Sequence, residues 1–202
     1  MKLDLERYLR ELENIVNIDS GQGNPEGITA VGNFFADRFA MMGWIMEKYD
    51  LPENLPITAT GPSMGGHGAL TYMVYAKRTP VACVANCPVC DMPFHYTERI
   101  DLPSSFYSAY RYEDGTMEEI LPRFSPLHLA EAGKMPDAAY TVFHCTKDTL
   151  VNKELHSDRF VAAMEKAGHP VNYRIVPDKN HCDLPPEEHL ALLEACAAEI
   201  LG

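Results

Sequence analysis

Gly61-Pro62-Ser63-Met64-Gly65 follows the pattern G-x-S-x-G, and its neighbours give that pattern a physical meaning. Leu55-Pro56-Ile57-Thr58-Ala59-Thr60 reads as a short buried strand. Gly65-Gly66-His67-Gly68-Ala69-Leu70-Thr71-Tyr72-Met73 reads as the start of a helix. A serine on so tight a strand-to-helix turn is held in a strained backbone, with its hydroxyl pushed out of the sheet. Glycine is needed at positions 61 and 65 because the turn brings two backbones too close for side chains. The backbone N–H of Met64, at the helix N-terminus, favours negative charge developing on a carbonyl oxygen under attack.

Three fixed positions in five residues carry little weight alone. A serine hydroxyl becomes a nucleophile only beside a base, and the base needs an orienting acid. Ala138–Cys145 reads as a strand that delivers Asp148 in the loop after it. Val171–Val176 reads as the next strand, and the loop after it carries His181. All three residues therefore fall at one edge of a parallel sheet, where open α/β sheets place their sites. Each also has an ordinary reading: Ser63 as a helix N-cap, Asp148 as the cap of a helix starting near Asn152, His181 as a plain loop histidine. Asp178 and Asp183 compete for the acid role, but both lie only a few residues from His181.

Residues from about 45 to 202 resemble the C-terminal part of an α/β-hydrolase, most closely the prolyl-oligopeptidase-like and esterase branch. The resemblance rests on Gly61-Pro62-Ser63-Met64-Gly65-Gly66, on Phe143-His144-Cys145-Thr146-Lys147-Asp148 with Val151-Asn152, and on Asn180-His181. It implies Ser63 as nucleophile, His181 as general base and then acid, and Asp148 as its orienter. The Met64 N–H then supplies one oxyanion contact. No cofactor and no metal is implied. The architecture expected is α/β: a three-layer parallel sheet with strands near 56–60, 80–86, 139–145 and 171–176 in sequential order, joined by right-handed crossovers. Helices are expected at about 152–167 and 186–200.

The front of the chain departs from this pattern. An α/β-hydrolase has several strands before the elbow, and a loop after an early one supplies the second oxyanion donor. Here residues 1–44 read as two helices, with stripes at Leu5, Leu9, Leu12, Ile15 and Val16, then at Ile28, Val31, Phe35, Phe39 and Met42. Asn24-Pro25-Glu26 signals the second helix start and Gly43 its stop. Ile15–Gly21 and Asn24–Ile28 resemble the N-terminal helices of zinc-dependent aminoacylase and carboxypeptidase-type metallopeptidases. Those enzymes bind metal through later motifs that this chain lacks, so no metal site carries over. The chain reads as a 1–44 helical segment joined to a 45–202 hydrolase-like domain, a fusion near Gly43-Trp44-Ile45. The alternative is that two amphipathic helices merely share a common stripe pattern. The sheet is then truncated at its N-terminal side, and the strand at 56–60 becomes an edge, a pairing hazard. The N-terminal helices covering it and a homodimer pairing through it are the two expectations.

The 202 residues have ordinary apolar content, and the net charge of −12 argues against nucleic-acid and anionic-membrane partners. No stretch reads as membrane-spanning or as a leader, which makes the cytoplasm the default expectation. Cys83, Cys87, Cys90, Cys145, Cys182 and Cys196 read as buried free thiols rather than a zinc framework, since only Cys87 and Cys90 form a close pair. Cys145 and Cys182 flank the proposed site at strand ends, near enough to approach each other.

Between the second and third strands lies an insertion rich in proline and aromatic residues. Phe94, Tyr96, Tyr107 and Tyr110 are its expected substrate-contacting members, forming a cap wall. The competing reading is a satellite core under a long loop. His95 and His128 read as structural or exposed. Two function classes remain: a serine hydrolase acting on a small-molecule ester, less readily a peptide, and a weak or inactive remnant serving as a structural or assembly unit.

Overall fold

The structure, a computed structural model, describes residues 10, 13–14, 25–41, 55–99 and 103–201. The chain divides into two compact units, Met1–Glu53 and Asn54–Gly202. In the first, helix α1 spans Pro25–Met41, with Glu26 in its first turn and Arg38 in its last, signs that suit the helix dipole. Its start matches the proline signal. Val31 is half-buried as the stripe requires, whereas Phe35 is exposed and meets Phe34 edge-on. Apart from Arg10, Glu13 and Asn14, which are helical, the first expected helix lies outside the described residues, as does the Gly43–Ile45 junction.

The second unit is built on four parallel strands in the order β1 (Thr58–Pro62), β2 (Ala82–Asn86), β3 (Ala139–Cys145), β4 (Val171–Val176). Helix α2 (Met64–Tyr75) connects the first two. The insertion then forms short helices α3 (Met92–Glu98), α4 (Pro103–Ala109), α5 (Met117–Ile120) and α6 (Pro126–Glu131). Helix α7 (Ser157–Lys166) precedes β4 and α8 (Pro186–Leu201) ends the unit. All five residues of β2 are buried, as a central parallel strand covered on both faces requires.

The side-chain period of two sorts the strands onto two faces. Cys83, Ala85, Tyr140 and Val142 pack with Leu70 and Met73 of α2, Leu127 and Leu129 of α6, and Phe160 and Met164 of α7. Val84, Phe143, Cys145 and Val176 pack against the Leu192, Ala195 and Cys196 side of α8. These are the three layers. Strand β1 starts at Thr58 and runs on through Gly61 and Pro62, because Pro62 still pairs with Asn86. Helix α7 begins at Ser157, five residues later than its periodicity implied: the Asn152 side chain accepts from Leu155 N–H and shapes a turn instead. Among the described residues no helix is long and apolar enough to cross a membrane.

Candidate active site

Ser63 stands between the last residue of β1 and the first of α2. Its φ of 52° and ψ of −122° put a non-glycine residue in a sparsely allowed region. Such a conformation costs on the order of 1–3 kcal/mol and persists only where the surroundings dictate it. Here its N–H donates to the Asn86 carbonyl at 2.8 Å and its carbonyl accepts from His67 N–H at 3.0 Å. A Cβ on Gly61 would overlap the Gly65 carbonyl, and one on Gly66 would press on the Gly61 oxygen at 3.0 Å. The strand and helix thus pass at glycine-only distance. The Ser63 side chain makes no capping hydrogen bond, so its hydroxyl is not occupied as an N-cap.

Asp148 is delivered by the loop after β3, which is tied down by Thr146 N–H to the Val176 carbonyl and Lys147 N–H to the Lys179 carbonyl. Its Oδ1 accepts from the N–H groups of Leu150 and Val151, both at 2.9 Å. Its Oδ2 accepts from His181 Nδ1–H at 2.6 Å. The carboxylate is fully buried and also has His144 Nε2 at 3.5 Å. Burial by itself would raise its pKa; the nearby His144 ring and the hydrogen bonds from His181 and the two backbone N–H groups outweigh that and hold it well below the usual carboxylate range. The rival acids point elsewhere: Asp178 pairs with Lys147 and Asp183 lies near Lys179.

A carboxylate only accepts, so His181 carries its proton on Nδ1 and presents a lone pair on Nε2. No hydrogen bond joins Ser63 Oγ to His181. Instead the Nε2 meets the sulfur of Cys182 at 3.6 Å. Both Ser63 and His181 line the same cavity, of about 260 Å³. His144, fully buried behind Asp148, has a role that its place in the sequence did not reveal. Its Nε2 faces the Val151 carbonyl at 3.1 Å, so the proton sits there, and Ser157 donates to Nδ1 at 2.6 Å. It braces the loop that carries the acid.

The cavity wall differs from the expected one. Tyr110 lines it, but Phe94, Tyr96 and Tyr107 do not. The reason is helical periodicity. Helix α3 turns Met92, His95 and the following Arg99 to the cavity, three and four residues apart, which leaves Phe94 and Tyr96 on other faces. Phe94 packs against the His156 ring, and Tyr96 joins Tyr107 beside a neighbouring concavity. On α4 it is Phe106 that faces the site, while Tyr107 is exposed. His95 is buried and lines the cavity; His128 is half-buried against Ser125. Phe106, Met92, Met117 and Leu121 also form a satellite core, so the insertion both lines the cavity and carries a small core of its own. All six cysteines are free.

Two other buried histidines carry a consequence for stability. Burial lowers the pKa of both His67 and His156 to about 4. Both are then neutral in the folded chain, while the unfolded chain binds protons from about pH 6.5 downward. Stability is therefore complete above that range and falls as pH drops from about 6.5 to about 4, by up to roughly 3 kcal/mol per histidine. The low pKa of Asp148 adds a further loss below the ordinary carboxylate range. Urea midpoints measured from pH 7 to 4 should fall accordingly, and His67→Asn should flatten part of the slope. A pH-independent midpoint would contradict this.

A parallel sheet with a serine elbow after one strand, and an acid and a histidine after two others, defines the class. This is an α/β-hydrolase fold in which, among the described residues, no strand precedes the elbow strand. The model of the prolyl oligopeptidase family matches residues 30–196, and the chain belongs to that family. The match begins within the second of the two N-terminal helices read from the sequence. No curated protein matches the chain. Among solved structures, Porphyromonas gingivalis dipeptidyl peptidase 4 is 24% identical over 69% of this chain and 18% of its own, with a TM-score of 0.51. A puromycin hydrolase is 17% identical over 82% of this chain and 24% of its own, with a TM-score of 0.60. A thermophilic esterase from Thermogutta terrifontis, solved with butyrate bound, is 23% identical over 71% of this chain and 56% of its own, with a TM-score of 0.50. These likenesses concern the fold. The chain spans a quarter or less of the first two structures and about half of the esterase.

Proposed function

We propose that this protein is a serine hydrolase that cleaves a carboxylic ester, and a peptide less readily, through Ser63, His181 and Asp148. The observation that carries the reading is the strained Ser63, its hydroxyl unused as a cap, sharing a cavity with a histidine oriented by a buried carboxylate. In this mechanism Ser63 Oγ attacks the carbonyl carbon as His181 Nε2 takes its proton. Asp148 stabilises the imidazolium and keeps the tautomer. The Met64 N–H, at the dipole end of α2, receives the oxyanion. His181 then returns the proton to the leaving alkoxide, and water repeats the cycle on the acyl-enzyme.

Two features favour an ester. The cavity is small and walled by Met92, Phe106, Ala109 and Val151, which suits a short apolar acyl chain. Among the described residues the geometry identifies one oxyanion donor, and a missing second donor costs about 10²–10³ in turnover. An alkoxide leaves readily enough to tolerate that loss better than an amine. A second reading, a weak or inactive remnant, is favoured by the 3.6 Å contact of His181 Nε2 with Cys182 in place of Ser63. Apo hydrogen bonds of catalytic groups are often loose, so the contact does not decide between them. A fluorophosphonate probe does: one label per chain on the Ser63 peptide supports the hydrolase, and folded protein that stays unlabelled supports the remnant. The fusion reading of residues 1–44, a homodimer through β1 and a cytoplasmic location belong to the same proposal, resting on the sequence patterns described above.

A further inference from the structure

The sulfur that meets the base nitrogen is not alone. The Sγ atoms of Cys87 and Cys182 and a ring nitrogen of His181 all lie within 4.8 Å of one another. The Cys182 Sγ to His181 Nε2 distance is 3.6 Å. A tetrahedral zinc ion, with Zn–S about 2.3 Å and Zn–N about 2.0–2.1 Å, holds sulfur and nitrogen about 3.6 Å apart. The spacing along that edge is already that of a metal site.

The surroundings complete the resemblance to one. His181 donates Nδ1–H to Asp148 Oδ2 at 2.6 Å, which leaves Nε2 as the free lone pair. A carboxylate–histidine pair of this kind is the usual outer support of a zinc-bound histidine, fixing its tautomer and ring plane. The Cys87 sulfur accepts the Cys145 N–H at 3.4 Å, the sort of bond that steadies a metal thiolate. The Asn86 side-chain amide holds the Cys182 carbonyl at 3.4 Å, fixing that loop beside the end of β2. The ligand set, two sulfurs and an imidazole, suits zinc rather than magnesium or calcium.

We propose that Cys87, Cys182 and His181 form an inhibitory zinc site. The ion bonds to the two sulfurs and to His181 Nε2, the two thiol protons go to solvent, and no electron is transferred. With its lone pair on the metal, Nε2 cannot accept the Ser63 proton, so zinc turns the hydrolase off and its removal turns it on. The inhibitory consequence rests on the role proposed for His181; the binding site does not.

The test uses the full chain, kept reduced with a phosphine, and zinc chloride followed by dialysis and metal analysis. One tightly held zinc per chain is expected, and cobalt(II) in its place should give a thiolate-to-metal charge-transfer band. Loss of outer-shell support alone costs about 10- to 100-fold in metal affinity, so Cys87→Ser and Cys182→Ser should each weaken zinc binding by about 100-fold or more. The zinc concentration for half-inhibition, taken against each variant's own zinc-free rate, should rise in step. Should a serine variant not fold, alkylation of the unmutated protein replaces it: zinc must protect the half-buried Cys182 more than the half-buried Cys196. Variants that bind zinc like the parent, absence of the cobalt–thiolate band, or equal alkylation of Cys182 with and without zinc would each overturn the site. Zinc bound without inhibition would overturn the inhibitory role: if His181→Ala then binds zinc like the parent, Nε2 is not a ligand, and if it binds more weakly, His181 is not the base.

Discussion

Turnover of an activated ester is expected to fall about 10⁴-fold when Asp148 is replaced by asparagine, with the fold retained. The substitution is nearly isosteric, and an amide oxygen at the Oδ1 position still accepts the N–H groups of Leu150 and Val151. The change is at Oδ2, where an amide NH₂ cannot accept His181 Nδ1–H. The imidazole then places its proton on Nε2, and the atom that must take the Ser63 proton no longer can. His144 offers no relief, since its own Nε2 proton is already directed to the Val151 carbonyl. Steady-state kinetics beside circular dichroism checks this. A variant within about tenfold of the parent would remove Asp148 from the mechanism.

Gly61→Val should lower stability by about 4–5 kcal/mol or more, the range reserved for severe core or backbone conflicts. For a chain of this size that corresponds to a fall in Tm of roughly 10–20 °C, or failure to fold. A side chain there would overlap the Gly65 backbone, which no rotamer change relieves. Strand β1 and helix α2 would have to separate, and with them the Ser63 conformation. Gly68→Ala in the same helix is the control. It meets open space, so the alanine should stabilise the helix by about 0.5–1 kcal/mol. Thermal melts of the two variants in opposite directions are the expected result. A Gly61→Val protein melting with the parent would refute the close-approach account of the elbow.

Most of the hydrolase-like unit was legible in the chain. The four strands are short apolar runs bounded by Pro, Gly and Asn, and parallel order followed from the helices between them. Ser63, Asp148 and His181 were readable because each stands just past a strand's end, and parallel strands bring such positions to one edge. The cavity wall was not readable. Aromatic density marks the insertion as important, but which of Phe94, Tyr96, Phe106 and Tyr107 turns inward depends on helix boundaries. Those boundaries are set by features a single residue apart, such as the Asp91 side chain capping Phe94 N–H. The spacing of Met92, His95 and Arg99 was the usable signal.

The sequence by itself determined the fold class, the strand order and the three residues at the sheet edge, because periodicity, turn glycines and strand ends are local properties of the chain. Tertiary structure alone decided the rest. It gave Asp148 its three hydrogen-bond donors rather than Asp178 or Asp183, and set His144 behind it. It also brought Cys87, at the end of β2, to Cys182, beyond the end of β4. Residues nearly a hundred positions apart meet only where the sheet's twist and register put them, and hydrogen bonds, burial and metal affinity are set by that meeting.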